Sequence, residues 1–225
     1  MARLSLTEKD LLTSMLTSHA YRERLAVERF REALSLLPSH ESEAYWLHVI
    51  EEEQEHYVGC LDVAKQIRID LEPLVKSRMN RQPPGIPRFK TWLDVLLAHA
   101  FNDKAGYFVL MGLLASKVIP YAQLASHIVA EEENHGAMGA DALVKYYPAC
   151  SESEQVKQKT LLEHLDAAVR CLGRPNSWRD QEAVRAGLKT RSAATTITDF
   201  CSYADEVLDR LNCQNLIPIS GRYMT

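Results

Sequence analysis

Apolar side chains recur at every third or fourth residue along almost the whole of this 225-residue chain. That spacing places them on one face of an α-helix. No segment shows the alternation of apolar and polar residues that a half-buried strand requires. Proline, glycine and capping residues divide the pattern into predicted helices over 7–37, 39–72, 91–114, 120–147, 151–172 and 178–211. The sequence therefore predicts an all-α protein.

Capping residues mark the predicted starts of these helices, because Ser and Thr side chains accept hydrogen bonds from the first free N–H groups. An acid three residues later completes a capping box. The capping positions are Ser39, Thr91 with Asp94, Ser151 with Glu154, and Pro120 in a first turn. Residues 77–90 are predicted to be non-helical because they contain Pro83, Pro84 and Pro87.

The composition excludes several classes of protein. The net charge of −4 and the pI near 6.1 give no electrostatic reason to bind nucleic acid or an anionic membrane. The five cysteines are widely spread without a C-x-x-C pair, which is typical of reduced intracellular thiols. The N-terminus lacks an apolar signal segment, and no apolar run approaches the length of a membrane span. We therefore expect one cytoplasmic domain over 1–225, with a core bundle over 7–147 and accessory helices over 151–211.

Ionisable residues occupy the apolar stripes at positions where Leu or Ile would be expected. The second predicted helix has Glu53 and His56 on its stripe, and the fourth has Glu132 and His135. A Glu and a His three residues apart lie on one face of a helix, so each pair can bind a cation. Uncompensated charges in a bundle core are costly, so these positions require partners or a metal.

The sequence around these pairs is duplicated. His19-Ala-Tyr-x-Glu23 in the first predicted helix matches His99-Ala-Phe-x-Asp103 in the third. Glu52-Glu53-x-x-His56 in the second likewise matches Glu131-Glu132-x-x-His135 in the fourth, at almost the same offset along the chain. The chain therefore contains two copies of one helical hairpin, and each copy supplies an acid followed by E-x-x-H.

The register of each hairpin brings its acids to one level. Pro38, which ends the first predicted helix, lies midway in the sequence between Glu23 and Glu53, so their carboxylates face each other in an antiparallel hairpin. Four carboxylates neutralise two divalent cations, and this donor set favours iron or manganese over zinc. The predicted metal ligands are Glu23, Glu53, His56, Asp103, Glu132 and His135.

These motifs resemble those of the ferritin-like di-iron carboxylate proteins, in which two helices each supply one Glu and two others supply E-x-x-H. Over residues 12–147 the chain is most similar to the phenylacetic acid catabolic family, whose catalytic subunit epoxidises the ring of phenylacetyl-CoA. That family also has Asp on the third helix, as Asp103 is here. The resemblance implies a four-helix bundle with a long crossover between its second and third helices. It also implies two Fe ions (or Mn, or a mixed Mn/Fe pair), O2, a small organic substrate, an electron donor and a homodimer.

Further residues near the predicted ligands have two interpretations each. In similar proteins acids at the positions of Glu52 and Glu131 orient the histidine of the opposite helix; alternatively both belong to solvated faces. His19 and His99, one turn before the acid ligands, are either hydrogen-bond donors and proton carriers or ordinary core histidines. Tyr57 and Tyr107 either line a substrate pocket or pack in the core. Glu28 competes with Glu23 as the first acid but lies off the stripe.

The function predicted from these features is a non-haem di-iron oxygenase that hydroxylates or epoxidises a small organic molecule, such as an aromatic compound or an acyl thioester. A ferroxidase could use the same ligands to oxidise Fe²⁺. A third possibility is a non-catalytic subunit of an oxygenase complex. A tRNA-modifying hydroxylase is a fourth, although the acidic composition offers it no support.

Overall fold

A computed structural model describes residues 4–39, 41–81 and 86–223, and all regular structure in those ranges is helical, which confirms the all-α prediction. The helices are α1 (Leu6–Ala33), α2 (Glu43–Gln66), α3 (Glu72–Arg81), α4 (Trp92–Ala98), α5 (Lys104–Met111), α6 (Ile119–Tyr146), α7 (Glu154–Leu172), α8 (Trp178–Arg185), α9 (Ala193–Arg210) and α10 (Ser220–Tyr223). A π-helical turn, His99–Asp103, joins α4 to α5. Within the described ranges no helix is both long and apolar enough to cross a membrane.

Two helical hairpins form the bundle that surrounds the ionisable residues. α1 packs on α2, and α6 packs on α4, the π turn and α5, while α2 and α6 contact each other across the two hairpins. α3 lies in the connection between the hairpins and packs on α1. The C-terminal part is attached to the second hairpin, since α7 and α9 pack on α5, whereas α8 contacts α1.

The apolar core consists of two clusters, one on each side of the ionisable residues along the bundle. One includes Phe30, Trp46 and Trp92, and the other includes Leu16 and Ile128. The buried acids and histidines thus form a polar layer between two water-excluding regions.

The structure corrects several predicted boundaries in the first half of the chain. Ser42, not Ser39, caps α2, and its hydroxyl accepts a hydrogen bond from the backbone N–H of Tyr45. α2 ends at Gln66, where Arg68 adopts a positive φ of 59°. A separate helix, α3, then extends to Arg81, so the prediction that 77–90 is non-helical was wrong for residues 77–81. It is confirmed for residues 86–90, and residues 82–85 lie outside the described ranges. Pro73 allows this helix because proline is compatible with a first helical turn.

The remaining boundaries agree in part. The capping box of Thr91 with Asp94 and the first-turn position of Pro120 are confirmed. α7 is capped by Ser153 rather than Ser151. The single helix predicted over 178–211 is two helices, α8 and α9, because Gly187 has a φ of 68° that α-helix does not allow.

The π turn changes which residues after Asp103 face the interior. A π turn holds one residue more than a regular helical turn, so it rotates every following side chain relative to the expected stripe. The apolar spacing of the third predicted helix places Tyr107, Leu110 and Leu114 on its buried face. Leu110 is buried as predicted, whereas Tyr107 is partly exposed and Leu114 is exposed, and Leu113 is buried in addition. The predicted core position of Tyr107 is corrected accordingly.

Candidate metal centre

The six predicted ligand residues are all buried and lie together in the polar layer. One group of possible ligand atoms, all within 4.8 Å of one another, comes from Glu23, Glu53, His56 and Glu132. A second such group comes from Glu53, Asp103 and His135. Because Glu53 belongs to both groups, the two groups adjoin, and they could hold two metal ions side by side.

The two imidazoles present the same nitrogen to this centre. Nδ1 of His56 lies 3.4 Å from a carboxylate oxygen of Glu132, and Nδ1 of His135 lies 4.0 Å from Glu53. Nε2 of each ring pairs with an acid of the other hairpin. His56 Nε2 lies 2.8 Å from Glu131, and His135 Nε2 lies 3.0 Å from Glu52. Glu52 and Glu131 therefore occupy the orienting positions that the sequence suggested for them.

His19 and His99 form equivalent chains to the acids of α1 and the π turn. His19 Nε2 lies 3.0 Å from Glu23, and its Nδ1 lies 3.2 Å from the hydroxyl of Tyr121. His99 Nδ1 lies 2.5 Å from Asp103, and its Nε2 lies 2.7 Å from the hydroxyl of Tyr45. Each histidine thus bridges an acid of its own helix and a tyrosine of the opposite hairpin.

The two tyrosines of these chains were not identified from the sequence. Tyr45 and Tyr121 precede Glu53 and Glu132 on their helices by close to two and three helical turns. That spacing puts each tyrosine near the ligand face of its own helix. The spacing was therefore a usable signal, but the histidine partner lies in the other hairpin and is not visible in any local pattern.

The carboxyl groups of the centre differ in their electrostatic surroundings. Burial, and then repulsion by Glu132, Glu23 and Asp103, raises the pKa of Glu53 well above its usual value. Burial, with repulsion by Glu132 and Glu23, likewise raises the pKa of Asp103. Burial also acts on Glu23, but its contacts with His19 hold its pKa well below the usual range. Glu53 and Asp103 are thus disfavoured in their charged forms by burial and by the neighbouring acids, and bound cations would relieve that repulsion.

The pKa of His56 is raised by the same excess of carboxylates. Burial disfavours the imidazolium, but Glu132 and Glu23, 3.4 and 3.7 Å from Nδ1, raise the pKa to about 12. In the absence of a metal ion the His56 ring therefore binds a proton, and the resulting positive charge lies next to these carboxylates.

Two buried nitrogens that make no hydrogen bond test whether these residues fit a metal. His56 Nδ1 and His135 Nδ1 are enclosed by protein, and neither makes a hydrogen bond within the described residues. A buried nitrogen without a hydrogen bond is costly, and both nitrogens face acids of the centre, His56 Nδ1 at 3.4 Å from Glu132 and His135 Nδ1 at 4.0 Å from Glu53. Carboxylate and imidazole donors, with no cysteine among them, suit iron or manganese. The residues present therefore fit a two-metal centre.

A cavity of about 30 Å³ adjoins the carboxylates. Gly106 lines it, and a Cβ at this position would lie 3.1 Å from an oxygen of Glu132, so the glycine leaves room for that carboxylate. Asn102 also lines the cavity and is buried, and neither its amide nitrogen nor its oxygen has a partner in the described part of the chain. Arg22 is a further lining residue. Sequence reasoning missed both Asn102 and Arg22, which lie beside predicted ligands but off the apolar pattern.

The predicted pocket tyrosines lie elsewhere. The Tyr57 ring faces the Arg24 guanidinium at 5.9 Å and lines an open groove beside α3. The Tyr107 ring lies 4.1 Å from the ammonium of Lys104. Neither ring lines the cavity at the carboxylates.

Comparison with known proteins gives no family for this chain. The sequence matches no protein-family model and no curated protein. The function is therefore argued from the geometry of the site.

Proposed function

We propose that this protein is a ferritin-like di-metal oxidoreductase that uses O2 and an external reductant to oxidise a small organic substrate. The observation that carries the proposal is the duplication of the centre: each hairpin supplies one acid, one E-x-x-H and one acid for the opposite histidine. Iron, or manganese in one or both positions, would supply the redox chemistry with O2. Glu23, with Glu53, Glu132 and His56, would hold one ion, and Asp103 and His135 would complete the other with Glu53.

The protein's own residues hold this donor set in place. Glu131 and Glu52 fix the rings of His56 and His135 so that Nδ1 faces the centre. Outer-shell hydrogen bonds of this kind orient a ligand and increase its basicity. His19 plays the same part toward the Glu23 carboxylate. The apolar clusters on both sides exclude water, which strengthens the electrostatic interactions inside.

Metal content is the first test of the proposal. We expect about two Fe or Mn ions per chain by elemental analysis, and rapid O2 consumption when the ferrous protein meets oxygen. His135→Ala should lose most of the second ion and the O2 consumption. His127→Ala is the matched control, since His127 is an exposed histidine on the same helix and should leave both unchanged. Wild-type protein that binds neither metal would refute the proposal.

The size of the cavity at the carboxylates favours a second candidate, a ferroxidase. About 30 Å³ holds a molecule the size of water and excludes an organic substrate. A ferroxidase continues to oxidise Fe²⁺ added beyond two equivalents, whereas an oxygenase without substrate stops at its bound ions. Ferrous titration under air therefore distinguishes the two candidates.

A further inference from the structure

A second cavity, of about 190 Å³, lies next to the one at the carboxylates. Arg22 lines both cavities. The larger cavity has apolar side chains on one part of its wall, including Met15, Val109 and Leu113. Its basic lining residues are Arg22, Lys189 and Arg191, and no acid is among its lining residues. This lining favours an anionic ligand with an apolar part, in a protein whose net charge is negative.

Two of the three basic groups are already neutralised. Lys189 pairs with Asp180, and Arg191 pairs with Asp199. Arg22, by contrast, has no acid within ion-pair distance among the described residues, and its Nη1 donates to the backbone carbonyl of Cys171 at 3.2 Å. Its Nε is buried and makes no hydrogen bond in the described part of the protein. Nε is closed off by protein, so Arg22 offers a bound molecule its charge, which Glu23 and Glu132 affect only from beyond ion-pair distance.

We propose that the substrate is a small carboxylic acid whose carboxylate binds Arg22 in this cavity, an inference that rests on the proposed oxidoreductase function. The planar guanidinium matches a carboxylate, and a charge-assisted hydrogen bond is the strong kind in a site removed from water. The organic part of the acid lies against Met15, Val109 and Leu113. Since Arg22 also lines the cavity at the metal ligands, the carboxylate end of the molecule lies next to the centre.

The cavity volume limits the size of this acid. About 190 Å³ is below the range of about 300–1,000 Å³ that is common for drug-sized ligands. A single aromatic ring or a short aliphatic chain suits such a volume. The apolar part of the wall distinguishes this site from one for inorganic phosphate, which has no apolar group to bury.

Titration calorimetry with benzoate tests this proposal in the metal-free and in the Mn²⁺-loaded protein, because the adjoining carboxylates repel an anion more strongly when no cation is bound. We expect benzoate to bind, and the neutral isostere benzamide to bind roughly ten- to hundred-fold more weakly. Arg22→Gln should weaken benzoate by a similar factor, and Arg22→Lys should restore part of the affinity because it keeps the charge. Arg24→Gln is the matched control, since Arg24 lies on the same helix but lines a different groove.

Three outcomes would overturn the proposal: equal binding of benzoate and benzamide, unchanged benzoate affinity in Arg22→Gln, or tight phosphate binding without benzoate binding. Metal stoichiometry measured on the same variants separates this test from that of the function. Two ions per chain without benzoate binding would refute the carboxylic acid and leave the oxidoreductase standing. Benzoate binding by a protein that takes up neither Fe nor Mn would leave the carboxylate site standing and refute the oxidoreductase.

Discussion

Replacing Glu53 by Gln should have opposite effects on the metal-free and the metal-loaded protein. Without metal, the Glu53 carboxylate is buried among other acids, and its pKa is raised well above the usual value. Gln has the same size and no charge, so it removes this repulsion, while His56 keeps Glu23 and Glu132 as neighbours. Removal of a poorly compensated buried charge stabilises by about 1 kcal/mol or more, or roughly 2–4 °C in Tm for a chain of this length.

Metal binding should stabilise the wild-type protein by more than the Glu53→Gln substitution stabilises the metal-free protein. A ligand at a hundred times its Kd stabilises by about 2.7 kcal/mol per site, which corresponds to roughly 5–11 °C in Tm. Glu53 belongs to both groups of possible ligands, so Glu53→Gln weakens both sites together. The order of stability should therefore reverse: the variant is more stable than wild type in EDTA and less stable in metal.

Differential scanning calorimetry in EDTA and in excess Mn²⁺ measures both effects without oxidation of the metal. Glu51→Gln is the matched control, because Glu51 is exposed on the same helix and should change neither Tm. A lower Tm for Glu53→Gln in EDTA would show that the carboxylate stabilises the metal-free fold and would refute the electrostatic argument. An unchanged wild-type Tm in Mn²⁺ would refute the metal site.

Three further predictions concern the surroundings of the centre. Glu131→Gln should lower metal affinity about 10–100-fold, measured by competition with a chelator, because Glu131 orients His56. Gly139→Ala should destabilise the protein by about 1–3 kcal/mol in urea unfolding, because its Cβ would lie 2.6 Å from the backbone of the π turn. Metal-free protein should lose stability as the pH rises above 4.5, measured by urea midpoints in EDTA, because the folded state binds protons on Glu53 and Asp103 more tightly than the unfolded chain does.

Each of these predictions has a control or an excluded result. Glu133→Gln neighbours Glu131 but is exposed, so its metal affinity should equal that of wild type. Gly221→Ala meets nothing within 4 Å and should leave the urea midpoint unchanged. A urea midpoint that increases between pH 5 and 8 would contradict the raised pKa values of the buried acids, and a Gly139→Ala variant as stable as wild type would contradict the close approach of α6 to the π turn.

The parts of the centre that depend on spacing within one hairpin could be predicted from the sequence. Glu53 and His56 are three residues apart on one helix, and their distance from Pro38 fixes their level opposite Glu23. The all-α fold follows from the same periodicity. These predictions depend only on the geometry of an α-helix and on the position of one turn, and the sequence indicates both.

Local competition between backbone states was harder to predict. The π turn at His99–Asp103 contains no proline or glycine from which it could be predicted. Tyr107, which follows it, is partly exposed and not on the buried face of the helix. Pro73 was interpreted as the end of a helix, although it equally suits the first turn of the next one. In both cases two conformations satisfy the same local pattern, and packing against other helices decides between them.

Contacts between distant parts of the chain explain the residues that were missed. Tyr45 meets His99 and Tyr121 meets His19 only because the two hairpins pack together. Arg22 receives its carbonyl partner from Cys171, at the end of α7, and this helix has no counterpart in the repeat. The duplicated hairpins account for the matching residues of the centre, whereas the end of α7 forms part of the wall of the cavity at Arg22. We therefore expect variants of the cavity wall that lie away from the ligands, such as Met15 and Leu113, to alter the choice of substrate and to leave metal binding unchanged.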